Sequence, residues 1–454
     1  MFYLNKDTPL TPELLKKMLR KFIVDVQPKL EKYKNYYDGK QAILNKQYSD
    51  PSKPCNKTVT NYCQDITDSY CGYIATPGHI TYSAPSDDID ITDIMDTLKY
   101  NDYQDNDAEF LLNALQHGVA AELMFTDPDS KVRFRQIDPR TCFGVYDDSL
   151  TGDLMYFVRM YKLSDWDDSD TYCVDVYDSA NITHYTMHGM SAEITLALDT
   201  TKKPEPHYFS QCPANIFYLK DEKSIFDCIM SNQDTYNALL SAEVDDYEAF
   251  CDAYLTLEGG ELDPDQVAEM KANRVLQLPE GCKASWLTKQ PNDTQIENIL
   301  KRLHTSIYRT AKCVDFSSES FTTGVSSGIA IAFKLTGMET KAGKIEAVMK
   351  KALQRRVELI CGVASLKLGE EVFRDIVIDF KRNVPADETS QVNKINALRG
   401  LVSDETLLGM VTEVEDVEQE LVKIEAQKQR NMDLFAGNAF GSTEGEDEDL
   451  DYGE

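Results

Sequence analysis

The sequence predicts an α+β protein of several domains, with a long two-helix projection and a helical C-terminal part. Three observations carry this. Apolar residues recur at helical spacing over residues 11–37, 224–258, 293–313 and 336–366. Short β-like runs bounded by turn residues fill 120–218. The 454 residues, 42% hydrophobic, suffice for more than one core, and length alone suggests two to four domains.

The first helix, 11–37, starts with Thr11, Pro12 and Glu13 at the cap and in the first turn. A polar, proline-containing passage at 45–57 separates it from a second helix at 61–74. Gly78 then leads into a short strand at 79–83, and 102–118 is helical again. Strands are expected at 122–125, 132–137, 143–146, 154–161 and 172–177, with Asp127-Pro128-Asp129, Asp147-Asp148 and Gly152 as turns.

Residues 224–258 carry eight carboxylates and no Lys or Arg on an amphipathic helical pattern. At about 100° per residue, Asp227, Asp234, Asp245, Glu248 and Asp252 share one face, opposite Ile229, Tyr236, Leu240, Tyr247 and Tyr254. One face is expected to pack and the other to be negative, on a strut of about 50 Å. Gly259-Gly260 ends it. A small unit follows, with strands at 254–257, 275–278 and 284–287 and a helix at 265–272. A second long helix, 293–313, returns with Ile296, Leu300, Leu303 and Ile307 on one face. After a Ser, Thr and Gly-rich segment at 316–328 comes the helix 336–366, with a basic stretch at Lys350, Lys351, Arg355 and Arg356. A strand at 376–380 precedes helices at 388–400, 403–410 and 414–431, the middle one capped by Ser403. The acidic end from Ala436 onward is expected to be disordered.

Composition excludes several classes. With 77 Asp+Glu against 47 Lys+Arg, the formal charge is −30 and the pI near 4.6, the reverse of a protein that grips DNA through phosphate contacts. Eleven cysteines without a CxxC pair, scattered apart from the six histidines, fit reduced thiols better than disulfides or a zinc site. No basic-then-apolar start and no run of eighteen apolar residues points to export by a signal peptide or to a membrane span.

Motifs of catalysis fall short. Gly324-Val325-Ser326-Ser327-Gly328 fits the GxSxG nucleophile elbow, but no histidine follows His304 to complete the Ser, acid, His order, so it reads as a polar loop. Residues 337–344, GMETKAGK, have five residues between the glycines and Ile345 where a Mg²⁺-binding hydroxyl is needed, so they read as a helix start. Asp165, Asp167 and Ser169 open like an EF-hand, without its glycine or its final glutamate. His184 and His188 lack a third ligand. The sequence therefore assigns no enzyme activity, no cofactor and no metal.

Taken together, the segments resemble the portal, or head-to-tail connector, proteins of tailed bacteriophages, especially siphophages of Gram-positive hosts. The resemblance rests on six passages in order. They are NKTVTNYCQDITDSYCGYIATPGHITY from Asn56, GVAAELMFTDPD from Gly118, IDPRTCFGVYDD from Ile137, FVRMY from Phe157, the acidic helix from Ser224, and CVDFSSESFTTGVSSGIAIAFKLTGMET from Cys313. It departs from the family pattern at Ala75-Thr76 and at Val314, where Leu-Gly and Pro are usual.

The resemblance implies a portal fold assembled as a ring, usually dodecameric, at one capsid vertex of the virion, with assembly in the host cytoplasm. Its expected parts are an α/β wing (1–223 and 329–383), a two-helix stem (224–258 and 293–313) and a small α/β clip (259–292). A tunnel loop (314–328), a helical crown (384–436) and a disordered acidic tail (437–454) complete it. The ring would pass double-stranded DNA without sequence specificity during packaging and ejection. It would dock the terminase large subunit at the clip and meet head-completion, capsid and scaffolding proteins. Ser317, Ser318, Glu319, Ser320, Phe321, Thr322, Thr323, Gly324 and Val325 would form the DNA-facing tunnel loop. The acidic stem face would keep the channel from gripping DNA, and Lys350 to Arg356 would neutralise carboxylates between subunits. The rival expectation is an acidic adaptor or DNA mimic that binds a basic partner.

Overall fold

A computed structural model of the chain describes residues 1–51, 53–85, 89–162, 166, 170–190, 193–251, 254–258, 283–287, 293–317, 328–363, 372–382, 395–411, 414 and 417–439. The chain divides into two compact units. One comprises Met1–Phe316 with Leu335–Asn383, the other Ser317–Lys334 with Val384–Glu454.

The first unit is built on a seven-stranded sheet. Its strands are β1 (Phe2–Leu4), β5 (Cys142–Asp147), β6 (Leu154–Tyr161), β7 (Thr171–Tyr177), β8 (Asn181–His188) and β10 (Glu205–Pro206) in that order, with β9 (Thr195–Leu198) also on β8. All pairs are antiparallel except β1 with β5. Period-2 alternation along β6 sends Val158 and Met160 to one face and Phe157 to the other. The first face packs under helix α1 (Pro12–Lys21) through Leu15, Met18 and Leu19, with Phe22 and Ile23 of the π-type turn that follows. The other face meets a three-stranded sheet, β11 (Ala214–Tyr218), β3 (Val119–Thr126) and β4 (Val132–Ile137), over Ala121, Leu123, Ile137 and Ala214. The large sheet is thus covered on both sides, which sequence alternation alone does not reveal.

Helix α2 (Gln27–Tyr37) continues from the π-type turn, so the single helix expected at 11–37 is two segments, with Pro28 at the second start. Thr11 caps the first, its hydroxyl accepting from the Leu14 N–H. Helix α3 (Tyr62–Ile74) lies where the helix at 61–74 was expected and is capped by Asn61. Helix α4 (Thr92–Tyr100), not foreseen, precedes α5 (Tyr103–His117), and Gly118 ends α5 in the left-handed region at φ +80°. Strand β14 (Val377–Phe380) pairs with β2 (Ile80–Ser83), joining distant parts of the chain.

Residues from Leu335 of the long helix Gly328–Cys361 bury Met338, Ala342, Met349, Leu353, Val357 and Ile360 in the first unit. Arg356, among them, is fully buried. It forms a two-pronged bond with Glu122 of β3 (2.9 Å at both contacts) and a further ion pair with Asp107 of α5. Asn215 and Gln136 also donate to Glu122, and the Tyr82 hydroxyl donates to Asp107. The expectation that Arg356 neutralises carboxylates between subunits is therefore corrected: its charge is spent inside its own core, where two desolvated carboxylates require it. This helix also starts at Gly328, not near Thr336, and Gly337 and Lys344 lie in its interior.

In the second unit, a short helix at Asp404–Leu408 is capped by Ser403, whose hydroxyl accepts from the Thr406 N–H at 3.3 Å. A longer helix spans Val417–Ala439. The disorder expected from Ala436 is corrected as far as Ala439, because the helical pattern runs past the glycine at 437. Residues 440–454 and residues 388–394 of the helix expected at 388–400 lie outside the described residues.

Candidate functional site: the acidic helical hairpin

Helix α6 (Met230–Cys251) runs into strand β12 (Tyr254–Glu258), which pairs antiparallel with β13 (Lys283–Leu287), and α7 (Asp293–Ala311) returns along α6. The expected helix to Glu258 therefore ends by Cys251. Its last residues take the strand reading instead, consistent with the β-favouring Tyr254-Leu255-Thr256. The expected strand 275–278 and helix 265–272 fall outside the described residues, as does Asp252.

The face on which α6 is seated is polar. Gln233, Asn237, Ser241 and Asp245, spaced four apart, are all buried. They meet alternate residues of the segment 56–62, which has no helix or strand pairing of its own before Tyr62. The Tyr62 N–H donates to Gln233 Oε1 (3.1 Å), Thr60 N–H to Asn237 Oδ1 (3.0 Å), Thr58 N–H to Ser241 Oγ (2.9 Å) and Asn56 N–H to Asp245 Oδ1 (2.6 Å). The spacings fit because four helical residues rise about 6.0 Å and two extended residues about 6.6 Å. Each side chain supplies the acceptor that a strand partner would otherwise provide, so the segment keeps its backbone satisfied without a sheet.

The expected apolar seating holds only in part. Of the residues expected to pack, Ile229 is buried and Tyr236 lies edge-on to the buried Tyr62, with ring centroids 5.1 Å apart, but Tyr247 is 74% exposed. The expected negative face looks onto the N-terminal part of its own chain. Asp227 accepts from the Tyr33 hydroxyl (2.7 Å) and pairs with Lys223 (3.0 Å), and Asp234 accepts from the Tyr36 hydroxyl (2.9 Å). Asp245 takes Lys46 (2.5 Å), and Glu248 accepts from the Asn56 side-chain amide (2.8 Å). Burial works to raise the carboxyl pKa values of Asp227 and Asp245. Tyr33 and Lys223 at the first, and Lys46 and Asn56 at the second, outweigh it and hold both below the ordinary range. Among the described residues Asp234 and Glu248 meet only neutral donors, with no cation in ion-pair distance.

Cations and hydroxyls also clamp the base of the hairpin. Lys341 donates to Ile225 O (3.2 Å), before α6, and to Ala311 O (3.0 Å), at the end of α7. The Tyr70 hydroxyl donates to Ala311 O and to Lys312 O (2.9 Å). Asn232 donates to the Ser306 hydroxyl across the two helices (3.4 Å), and His304 approaches Asp315 at 3.5 Å. A lysine and a tyrosine on the terminal carbonyls of α7 suit its negative pole.

The remaining sequence candidates do not converge. His184 Nδ1 meets Asp175 Oδ1 (2.6 Å), while His188 Nδ1 meets the Thr171 hydroxyl (2.9 Å). Among the described residues no group of three His, Cys, Asp or Glu could hold a metal ion. Of the tunnel-loop candidates only Ser317 is described; Ser318, Glu319, Ser320, Phe321, Thr322, Thr323, Gly324 and Val325 fall outside, as do Ser326 and Asp165, Asp167 and Ser169. The polar row on α6 was missed from the sequence, although four short acceptors at four-residue spacing are a readable signal. Among the described residues no helix is long and apolar enough to cross a membrane.

No curated protein matches the chain. A family model described as phage portal protein, SPP1 Gp6-like, matches residues 26–434 of the 454, and the chain belongs to that family.

Proposed function

We propose that this portal-family chain assembles as a dodecameric ring at one capsid vertex, and that the ring is the channel for DNA packaging and ejection. The family match over residues 26–434 carries the reading. The order helix, strand pair, helix supports a stem at 224–258 and 293–313 with the clip at 259–292 between them. The chain's division after Phe316 and again after Asn383 supports a tunnel loop near 314–328 and a crown at 384–436, with 1–223 and 329–383 as the wing. The clip would take the terminase large subunit, and head-completion, capsid and scaffolding proteins would meet the ring. The tunnel-loop residues 317–325 would brush the duplex, and no catalytic step or cofactor enters.

The acidic stem suits translocation in a way that the hydrogen bonds refine. Asp227 and Asp245 are compensated by lysines, whereas Asp234 and Glu248 are satisfied by a phenol and an amide, which solvate a carboxylate without neutralising it. Uncompensated charge repels phosphate over about 8 Å at physiological salt. Of the four only Glu248 is exposed, so the charge facing a channel would come from it, and a surface that repels phosphate lets the duplex slide, since it offers few contacts that would hold it.

The decisive measurement is the mass of the purified chain in solution with negative-stain imaging. A ring has roughly 600 kDa, twelve times 51.4 kDa. A monomer or dimer that captures a basic partner would instead favour the acidic adaptor.

A further inference from the structure

The β sandwich of the first unit opens at one end into a cleft of about 650 Å³. Where its core ends at Leu123, Ile137 and Phe157, the walls change character. Phe125 and Tyr161 give aromatic surface on the sandwich side and Tyr172 on the α1 side of the sheet end, and Arg135, Arg159 and Lys162 bring cations to the lining. Phe125 is 43% exposed, an apolar ring held at the mouth.

In a chain of net charge −30 these cations stand apart. Among the described residues none of the three pairs with a carboxylate within ion-pair distance. The Arg159 guanidinium lies 4.4 Å from the centre of the Tyr161 ring and the Lys162 ammonium 5.2 Å from that of Tyr172. Aromatic faces orient a cation without cancelling its charge. Among the described residues, the carboxylate on the cleft wall and the one opposite Arg159 are taken. Asp138, on the cleft wall, is bound by Arg140 at 2.6 Å, and Asp175, opposite Arg159 in register, accepts from His184 at 2.6 Å.

We infer that this cleft binds an acidic linear peptide from another protein. A bulky apolar side chain enters between Phe125 and Tyr161, and flanking carboxylates meet Arg135 and Arg159, with Lys162 at the sheet end. The volume falls within the roughly 300–1,000 Å³ of ordinary ligand sites and suits a few residues, not a long strand. Charge selects the same occupant. Screening limits electrostatics to about 8 Å, so a short acidic segment feels the local cations, while an extended polyanion also meets the rest of a chain of net charge −30. The inference stands apart from the portal reading, since it concerns only the sandwich.

The test uses fluorescence anisotropy of the full chain with a labelled synthetic peptide of Glu and Asp around one Tyr. Parallel arms carry the Gln/Asn version, the version with Gly for Tyr, and a single-stranded oligonucleotide of equal charge. The acidic Tyr peptide should bind best and lose affinity with added salt. Arg135→Ala with Lys162→Ala should weaken it about tenfold, with an unchanged circular dichroism spectrum. Phe125→Ser should weaken it separately while leaving the response to salt intact. Equal binding of the Gln/Asn peptide, undiminished binding by the double variant, or binding of the oligonucleotide alone would overturn the inference. Binding confined to the unassembled chain would also overturn it and mark the cleft as a contact between copies.

Discussion

Replacing Asn237 by leucine separates a polar seat for the stem helix from an apolar one. Asn237 is fully buried; its Oδ1 accepts from Thr60 N–H at 3.0 Å and its Nδ2 donates to Gln41 Oε1 at 2.5 Å. Leucine keeps the branched skeleton but leaves both partners without a bond. An unsatisfied buried polar group costs about 1–3 kcal/mol, so the pair should cost about 2–6 kcal/mol. The loss falls on the contact between α6 and residues 56–62. Amide hydrogen exchange there should accelerate between about thirtyfold and about twenty-thousandfold, at about 1.4 kcal/mol per factor of ten. Mass spectrometry of peptides covering 56–62 reads this directly, with Tyr247→Ser as the control. Tyr247 is 74% exposed and its replacement should change stability by no more than about 0.5 kcal/mol. If Asn237→Leu left exchange at 56–62 unchanged or slower while Tyr247→Ser accelerated it, the polar seat would be refuted and the face expected from the sequence restored.

Arg356→Met should destabilise the first unit by about 3–5 kcal/mol, because Asp107 and Glu122 would remain buried without their cation. Adding Glu122→Gln and Asp107→Asn should recover part of that loss in chemical denaturation; no recovery would mean that the arginine acts through packing alone. Asp245 has a folded pKa below its unfolded value near 3.9, so its stabilisation is complete above about pH 4 and disappears as pH falls through the folded value. The melting temperature of the native chain should therefore fall more steeply on acidification below about pH 4 than that of Asp245→Asn, and parallel curves would contradict the assignment. Gly118→Ala should cost about 1–3 kcal/mol in the same denaturation assay. The residue sits at φ +80°, and an added Cβ would come within 2.6 Å of the backbone of Glu222 and Lys223.

Much of the architecture is legible in the sequence because periodicity reports local geometry. The helices at 61–74, 102–118 and 293–313 and the strands at 132–137 and 154–161 appear within a residue or two of their expected bounds. Thr11 and Ser403 cap as their side chains predict. Helix α4 escaped notice because its apolar pattern is short, and β9 to β11 because their runs are brief. The family resemblance was legible too, through six passages in order, and the family match covers them.

What the sequence by itself determined is the α+β class, the two long helices with strands between them, and the excess of negative charge. Only the tertiary structure decided which side of the acidic helix is buried. Amphipathic reasoning places the apolar side inward, which assumes that burial follows hydrophobicity. On α6 burial follows the hydrogen-bond needs of a backbone segment that has no strand beside it. Its partner, Thr58, lies 183 residues from Ser241 in the chain. No local window contains both, so the acceptors at 233, 237, 241 and 245 acquire their meaning only when the fold brings residues 56–62 alongside them.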